Sequence, residues 1–182
     1  AVLVVNDRIK DTSADAIAAL QEQGLSVTLL TGDNARTAAT VAEAIGIDTV
    51  IAEVLPEDKA AEVRRLQDEG HRVAMVGDGI NDAPALARAD IGFAMGAAGT
   101  DTAIETADVA LMDDDLRKIP TFVRLSRATA QVLMQNIVLA LGIKAVFLVL
   151  TFTGHATMWM AVFADMGASL LVVGNGLRLL RR

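Results

Sequence analysis

The stretch Met75-Val76-Gly77-Asp78-Gly79-Ile80-Asn81-Asp82-Ala83-Pro84-Ala85-Leu86 crowds two carboxylates and a carboxamide into a glycine-bounded turn. Two acids so close repel each other unless a cation or a hydrogen-bonding partner compensates. Such an oxygen-rich cluster suits Mg²⁺, which is commonly held by one or two carboxylates together with phosphate oxygens and water. Phosphate chemistry is therefore expected, and the plainer alternative is a solvated Asp/Gly turn between a strand and a helix. A second turn, Thr31-Gly32-Asp33-Asn34, offers a hydroxyl and a glycine at which backbone N–H groups can approach an anion. Lys59, in Pro56-Glu57-Asp58-Lys59, puts an ammonium at a helix start, where it can neutralise phosphate and restrain a carboxylate. Taken singly, Thr31 reads as a turn residue and Lys59 as a surface lysine. Their order along the chain, each at a helix start, is what carries the signal.

Short β-branched runs must position these turns. Strands are expected at Val2–Val5, Val27–Leu30, Val50–Ala52, Val73–Val76, Ile91–Ala94 and Val109–Leu111. They are apolar on both faces, as a parallel sheet covered by helices requires. Ser13 is expected to cap a helix ending at Gly24, Asn34 one ending near Gly46, and Pro56 opens one ending at Gly70. This alternation predicts an α/β domain with a doubly wound, mostly parallel sheet. Ligands of such sheets bind beyond the carboxyl ends of the strands. The Thr31 and Asp78 turns both follow strands directly.

The chain has 182 residues, no cysteine and a net charge of −7. Disulfides and thiolate metal sites are thereby excluded within it. The acidic balance, without a basic aromatic patch, argues against a nucleic-acid partner. The mean hydropathy of +0.43 is high for a soluble domain, and the excess lies after about residue 132. The start, Ala-Val-Leu-Val-Val-Asn, reads as a core strand rather than a signal peptide, so the chain is expected to belong to something longer. Three regions are predicted: residues 1–113 as the α/β domain, 114–131 as a linker or helix, and 132–182 as a membrane hairpin.

Val132–Thr153 and Met158–Leu177 each have about the ~20 residues that a spanning helix needs. The first is interrupted by Gln135, Asn136 and Lys144, the second by Asp165 and Asn175. Thr153–Thr157 between them is a short turn without Lys or Arg, whereas Lys118, Arg124, Arg127, Arg178, Arg181 and Arg182 flank the pair. The positive-inside rule then puts both ends in the cytoplasm. Lys144 and Asp165 are equally far from the turn, near the middle of the ~30 Å hydrocarbon layer. An isolated charge there costs at least ~2.5–3.5 kcal/mol. Asp165 as a cation ligand with Lys144 as its counter-ion is one reading; a permanent pair that fixes helix packing is the other. His155 reads as a loop residue, and Met158, Met160 and Met166 as packing.

The soluble motifs resemble those of haloacid-dehalogenase-like phosphotransferases. The string Gly77-Asp78-Gly79-Ile80-Asn81-Asp82-Ala83-Pro84-Ala85-Leu86, followed by Ala89-Asp90-Ile91-Gly92, is similar to the phosphorylation domain of P-type cation-transporting ATPases. The resemblance implies that Asp78 binds Mg²⁺ and that Thr31, Gly32, Asp33, Lys59, Asn81 and Asp82 handle the transferred phosphoryl group. It implies that Asp7 and Lys10 lie near ATP, with Lys10 where the family has Arg, a weaker contact without the bidentate fork. Lys144 with Asp165-Met166-Gly167-Ala168-Ser169 resembles the last two membrane helices of the Zn²⁺/Cd²⁺/Pb²⁺ exporters, so a divalent metal such as Zn²⁺ is the implied cargo. The family's nucleophile sits in an Asp-Lys-Thr-Gly-Thr string, which this sequence does not contain. The nucleotide-binding and actuator domains, six earlier membrane helices and a Cys-Pro-Cys site are not in it either.

The resemblance thus implies the carboxyl-terminal part of a pump in the lipid bilayer, in a bacterial inner membrane with its α/β domain in the cytoplasm. By itself this part is expected to be inactive. Two alternatives stand beside it. A membrane-tethered phosphatase would need a nucleophile, for which Asp113-Asp114-Asp115 is the nearest acidic cluster, although it reads as a solvated linker. A non-catalytic truncated subunit is the other.

Overall fold

A computed structural model describes residues 9–77, 80–96, 105–113, 115–155 and 157–181. The strand expected at Val2–Val5, and Asp7 and Asp78, lie outside these. The chain divides into two units, residues 1–120 and 121–182.

The first unit alternates helices and strands: α1 (Thr12–Glu22), β1 (Thr28–Leu30), α2 (Ala35–Ile45), β2 (Thr49–Ile51), α3 (Lys59–Asp68), β3 (Ala74–Gly77), α4 (Ala83–Arg88), β4 (Ile91–Met95) and β5 (Val109–Leu111). Helix ends follow local chemistry. The Asn34 side chain accepts the Thr37 N–H at 2.9 Å, and Gly46 closes α2 in the left-handed conformation that glycine adopts without strain. Pro56 opens a 3₁₀ turn, Pro56–Asp58, that leads into α3. Ser13 is not the cap of α1. It lies buried inside the helix, and Asp11 occupies the N-cap position without a side-chain capping bond.

Every pairing among the described residues is parallel. β1 pairs with β2, and β3 with β4, which pairs with β5. Side chains alternate across these strands, so neighbouring residues enter different cores. Leu29 packs with Ile17, Ala42 and Ile47 on one face, while Leu30 packs with Val63, Met75, Leu86 and Ala94 on the other. Phe93 joins Leu111 and Ile119, while its neighbour Ala94 enters the Val63 core. Helices therefore cover both faces, as the doubly wound reading requires.

Among the described residues the strands form two sheets rather than one, β1-β2 and β3-β4-β5. The Val63 core runs beneath both. Between β1 and β3 lies a cleft of about 440 Å³, lined by Thr28, Leu30, Val63, Leu66, Ala74 and Met75 among others. Val76, on what would be an interior strand, is 37% exposed. The sheet layer is thus interrupted between two strand edges that face a common space.

The Asp90 carboxylate joins the β3 and β4 entries. It accepts the Val73 N–H at 2.9 Å and the Gln67 amide at 3.1 Å, and these bonds hold it below its ordinary range near 3.8. A depressed carboxylate adds stability that is present above the unfolded value and is lost as pH falls through the folded one. Asp90→Asn should therefore lower the urea midpoint at neutral pH and flatten the acid-side loss of stability. Parallel titrations of both proteins by far-UV circular dichroism check this.

The second unit holds α5 (Lys118–Phe152), which starts within the first, and α6 (Met158–Leu177), followed by a 3₁₀ turn, Arg178–Arg181. Pro120 lies in the first turn of α5, where a missing N–H breaks no helical bond. Thr157 caps α6 by accepting the Met160 N–H at 3.3 Å. Both helices are long and apolar enough to cross a membrane.

Candidate phosphoryl site and membrane charge pair

The expected site residues fall into two groups that the fold positions separately. In the first, β1 ends at Leu30 and the chain turns. The Thr31 N–H donates to the Ile51 carbonyl at 3.0 Å, and its own carbonyl accepts the Val54 N–H at 3.1 Å. Its hydroxyl accepts the Asp33 N–H at 3.1 Å, which leaves the hydroxyl proton to donate elsewhere. Gly32 lies against this second loop. A Cβ there would meet the Val54 carbonyl at 3.3 Å.

Glu53, not foreseen from the sequence, fastens the turn. Its N–H donates to the Asp33 carbonyl at 2.9 Å and its carboxylate accepts the Ala35 N–H at 3.4 Å. Its φ of 59° is a left-handed conformation, uncommon for a residue with a side chain. No residue-type signal marks a glutamate for that geometry.

The second group lies beyond β2 and β3. The Lys59 ammonium, at the start of α3, donates to Asp82 Oδ1 at 2.6 Å. Their side chains keep only 17% and 11% of their exposure, so the pair is largely withdrawn from water. Asp82 packs directly on Gly77, where a Cβ would sit 2.7 Å from the Asp82 Cβ. Gly77 is thus required by the approach of the carboxylate. Asn81 lies exposed in the 3₁₀ turn Ile80–Asp82, and Lys10 lies exposed ahead of α1.

The structure brings Lys59 and Asp82 together. No hydrogen bond joins this pair to the Thr31 turn among the described residues. Chain order still aligns the two groups. Lys59 follows β2, which is parallel to β1, and Asp82 follows β3, so their ion pair ties the carboxyl ends of both sheets to one edge. The Thr31 turn follows β1 at that same end.

A Mg²⁺ ion would need oxygen ligands here. The described residues contain no group of three or more acidic or histidine side chains able to hold a metal, and Asp82 is already engaged by Lys59. Asp78, the expected ligand, lies outside the described residues. In the Asp113-to-Asp115 run, Asp114 lies outside the described residues and the acids on either side of it are engaged. Asp115 accepts the Arg117 guanidinium at 2.7 and 2.9 Å, which holds it down to about 2, and Asp113 pairs with Lys118.

In the second unit Lys144 and Asp165 are both exposed, and no ion pair joins them among the described residues. The Asp165 carbonyl accepts the Ser169 hydroxyl at 2.9 Å. The amides of Gln135, Asn136 and Asn175 do meet. Asn175 Nδ2 donates to Asn136 Oδ1 at 2.9 Å and to Gln135 Oε1 at 3.2 Å.

Removing one member of a desolvated ion pair leaves the other unpaired, at a cost of about 3 kcal/mol. Lys59→Met should destabilise the chain by about that much, and adding Asp82→Leu should recover most of the loss. Gly77→Ala should resemble the lysine loss, because the new methyl group displaces Asp82. Urea unfolding of the four proteins in one detergent checks all three expectations.

Comparison with known proteins completes the picture. Residues 1–90 match the family model of haloacid dehalogenase-like hydrolases. A probable cadmium-transporting ATPase of Listeria monocytogenes is 51% identical over 181 residues, covering 99% of this chain and 26% of its own length. A copper-exporting P-type ATPase of Bacillus subtilis is 52% identical over 178 residues, covering 98% of this chain and 22% of its own length. The crystal structure of a zinc-transporting ATPase of the PIB type in an E2·Pi state superposes with a TM-score of 0.89 at 48% identity, over 96% of this chain and 28% of that one. The chain spans about a quarter of the length of the relatives it matches. Fold, motif order and likeness over nearly every residue agree: the chain belongs to the heavy-metal-transporting P-type ATPases and corresponds to their carboxyl-terminal portion.

Proposed function

We propose that the chain is the carboxyl-terminal part of an ATP-driven exporter of a divalent heavy metal that works through an aspartyl-phosphate intermediate. The observation that carries this reading is the Lys59–Asp82 pair. It sets a largely desolvated ammonium toward the carboxyl ends of the parallel strands, the end at which phosphate-handling turns are expected. An ammonium has three donors, and the pair uses one, so two remain for phosphate oxygens.

In the proposed reaction a carboxylate oxygen attacks the γ-phosphorus of ATP. The bond from that phosphorus to the β,γ-bridging oxygen breaks, ADP leaves, and water later cleaves the acyl phosphate to release inorganic phosphate. Thr31, Gly32 and Lys59 bind the transferred oxygens, Asn81 adds a carboxamide, Asp33 holds the turn, and Asp82 orients the lysine. Asp7 and Lys10 lie toward the nucleotide. Mg²⁺, held by Asp78 with phosphate oxygens, would offset the charge gathered there.

The attacking carboxylate comes from a segment outside this sequence. The relatives are about four times as long as this chain, which supports that reading. The 182-residue chain alone should then form no phosphoenzyme from ATP.

Asp165 is proposed as a ligand of the transported ion and Lys144 as the charge that replaces the ion after release. Overall identity does not choose the cargo, since a copper exporter matches as well as the cadmium pumps do. The choice of Zn²⁺ or a related divalent ion rests on Lys144 and Asp165, a hard carboxylate with a built-in counter-ion. The α/β unit lies in the cytoplasm and the hairpin in a bacterial inner membrane, as the flanking arginines suggest.

In the complete pump, Asp165→Ala should abolish Zn²⁺-stimulated ATP hydrolysis. Lys144→Ala should keep Zn²⁺ binding and slow turnover. Unchanged stimulation in the first variant, or lost binding in the second, would overturn the assignment of that residue.

A further inference from the structure

Three polar interruptions of the apolar spans have no part in the proposed transport chemistry: Gln135, Asn136 and Asn175. The structure brings them together. Asn175 donates both of its amide hydrogens across the hairpin, to Asn136 Oδ1 at 2.9 Å and to Gln135 Oε1 at 3.2 Å. Its own Oδ1 accepts Arg178 Nη1 at 3.0 Å. The Asn175 amide thus has every donor satisfied and an acceptor occupied.

Nothing in local packing calls for this arrangement. Gly174 and Gly176 flank Asn175, and a Cβ on either would meet nothing within 4 Å. Among the described residues the glycines therefore serve no close approach of one helix to the other. In a surrounding without water, an amide must find a protein partner or stay unpaired. Bonds between helices of this kind hold transmembrane segments together where apolar contact alone does not discriminate one register from another.

We infer that Gln135, Asn136, Asn175 and Arg178 form a clamp that sets the register and rotation of the hairpin, and so presents Lys144 and Asp165 at one depth on one face. The inference rests on the proposed roles of those two charges. Lys144 lies eight residues beyond Asn136, and Asp165 ten residues before Asn175. At ~1.5 Å per residue these are rises of ~12 and ~15 Å along antiparallel helices, so the two charges differ in depth by only ~3 Å. At ~100° per residue, Lys144 is turned ~80° from Asn136, and Asp165 is turned ~80° from Asn175 in the opposite sense. Helices that face each other through the clamp therefore send both charges to the same side of the hairpin, away from the seam. The exposure of both residues, and the lack of an ion pair between them among the described residues, agree with this. A slip of one turn, ~5.4 Å, would part them in depth.

These are positioning residues, and the test reads position directly. The chain has no cysteine of its own, so spin labels can be placed at Lys144→Cys and Asp165→Cys in lipid bilayers. With the clamp intact, the label–label distance should form one narrow distribution. Asn175→Leu should broaden it or shift it by about 5 Å, a helical turn. Asn136→Leu should act in the same direction. Asn175→Asp should leave the distance in place, because a carboxylate accepts from the reoriented amides and from Arg178. A broad distribution in the parent, or one unchanged by both leucine variants, would overturn the clamp.

In the complete pump with Lys144 and Asp165 intact, Asn175→Leu should raise the Zn²⁺ concentration for half-maximal ATP hydrolysis several-fold, with rescue by Asn175→Asp. An equal half-maximal concentration in all three would overturn its role in positioning. A pump that ignores Asp165→Ala while the distance result holds would remove the transport reading and leave the clamp standing.

Discussion

The ion pair between Lys59 and Asp82 is the contact on which the soluble unit's geometry turns. It is short, nearly dry, and made by residues that follow different sheets. Lys59 lies in the connection that follows β2 and Asp82 in the one that follows β3, so the pair ties the segments beyond their carboxyl ends to each other. Gly77 is part of the same constraint, because any side chain there would occupy the space of the Asp82 carboxylate. The pair also decides the division of labour between the two acids of the turn. A carboxylate committed to an ammonium is a poor metal ligand, so magnesium chemistry falls to Asp78 in the proposed scheme.

The interrupted sheet gives the constraint its purpose. Two parallel sheets share the Val63 core on one face and have separate cores on the other, yet β1 and β3 do not pair. Unpaired strand edges are templates for a further strand. Were the cleft a packing defect, apolar residues would be expected to collapse into it, because native interiors leave few voids larger than a water molecule. Here Leu30, Val63 and Met75 line it and remain in one core. Among the described residues the core and the edge ion pair are kept while the cleft between β1 and β3 stays open.

Much of this is legible in the sequence because it depends on local chemistry. β-branched runs gave five described strands within a residue or so of their expected places, and Asn34 and Gly46 bounded α2 as capping rules require. The Gly-Asp-Gly-x-Asn-Asp string located the edge of the sheet. Other features depend on long-range contact and left no such mark. Ser13 looked like a cap, but the buried face of α1 claimed it. Glu53 adopts a left-handed conformation because two loops meet around it, and its residue type says nothing of that. The split between β1-β2 and β3-β4-β5 among the described residues has no local mark, because strand pairing is decided by contacts between distant segments. Asn175 read as an interruption of an apolar run, since its bonds to Gln135 and Asn136 cross about forty positions.

The hairpin extends the same logic into lipid. Apolar side chains such as Leu148, Val149, Phe163 and Leu170 remain exposed on its two helices, and only a few small residues are buried. Apolar exposure toward acyl chains carries little cost. In the proposed membrane placement Asp165 and Lys144 are different, since a charge at mid-membrane costs about 2.5–3.5 kcal/mol even on the more lenient scales. A face that carries both cannot stably rest against lipid. It must meet protein or water, and in a pump with further helices that is the interior. The polar clamp, by sending both charges to one side, would therefore determine which face of the hairpin the remaining helices cover. The other faces need only be apolar, and they are left free to vary.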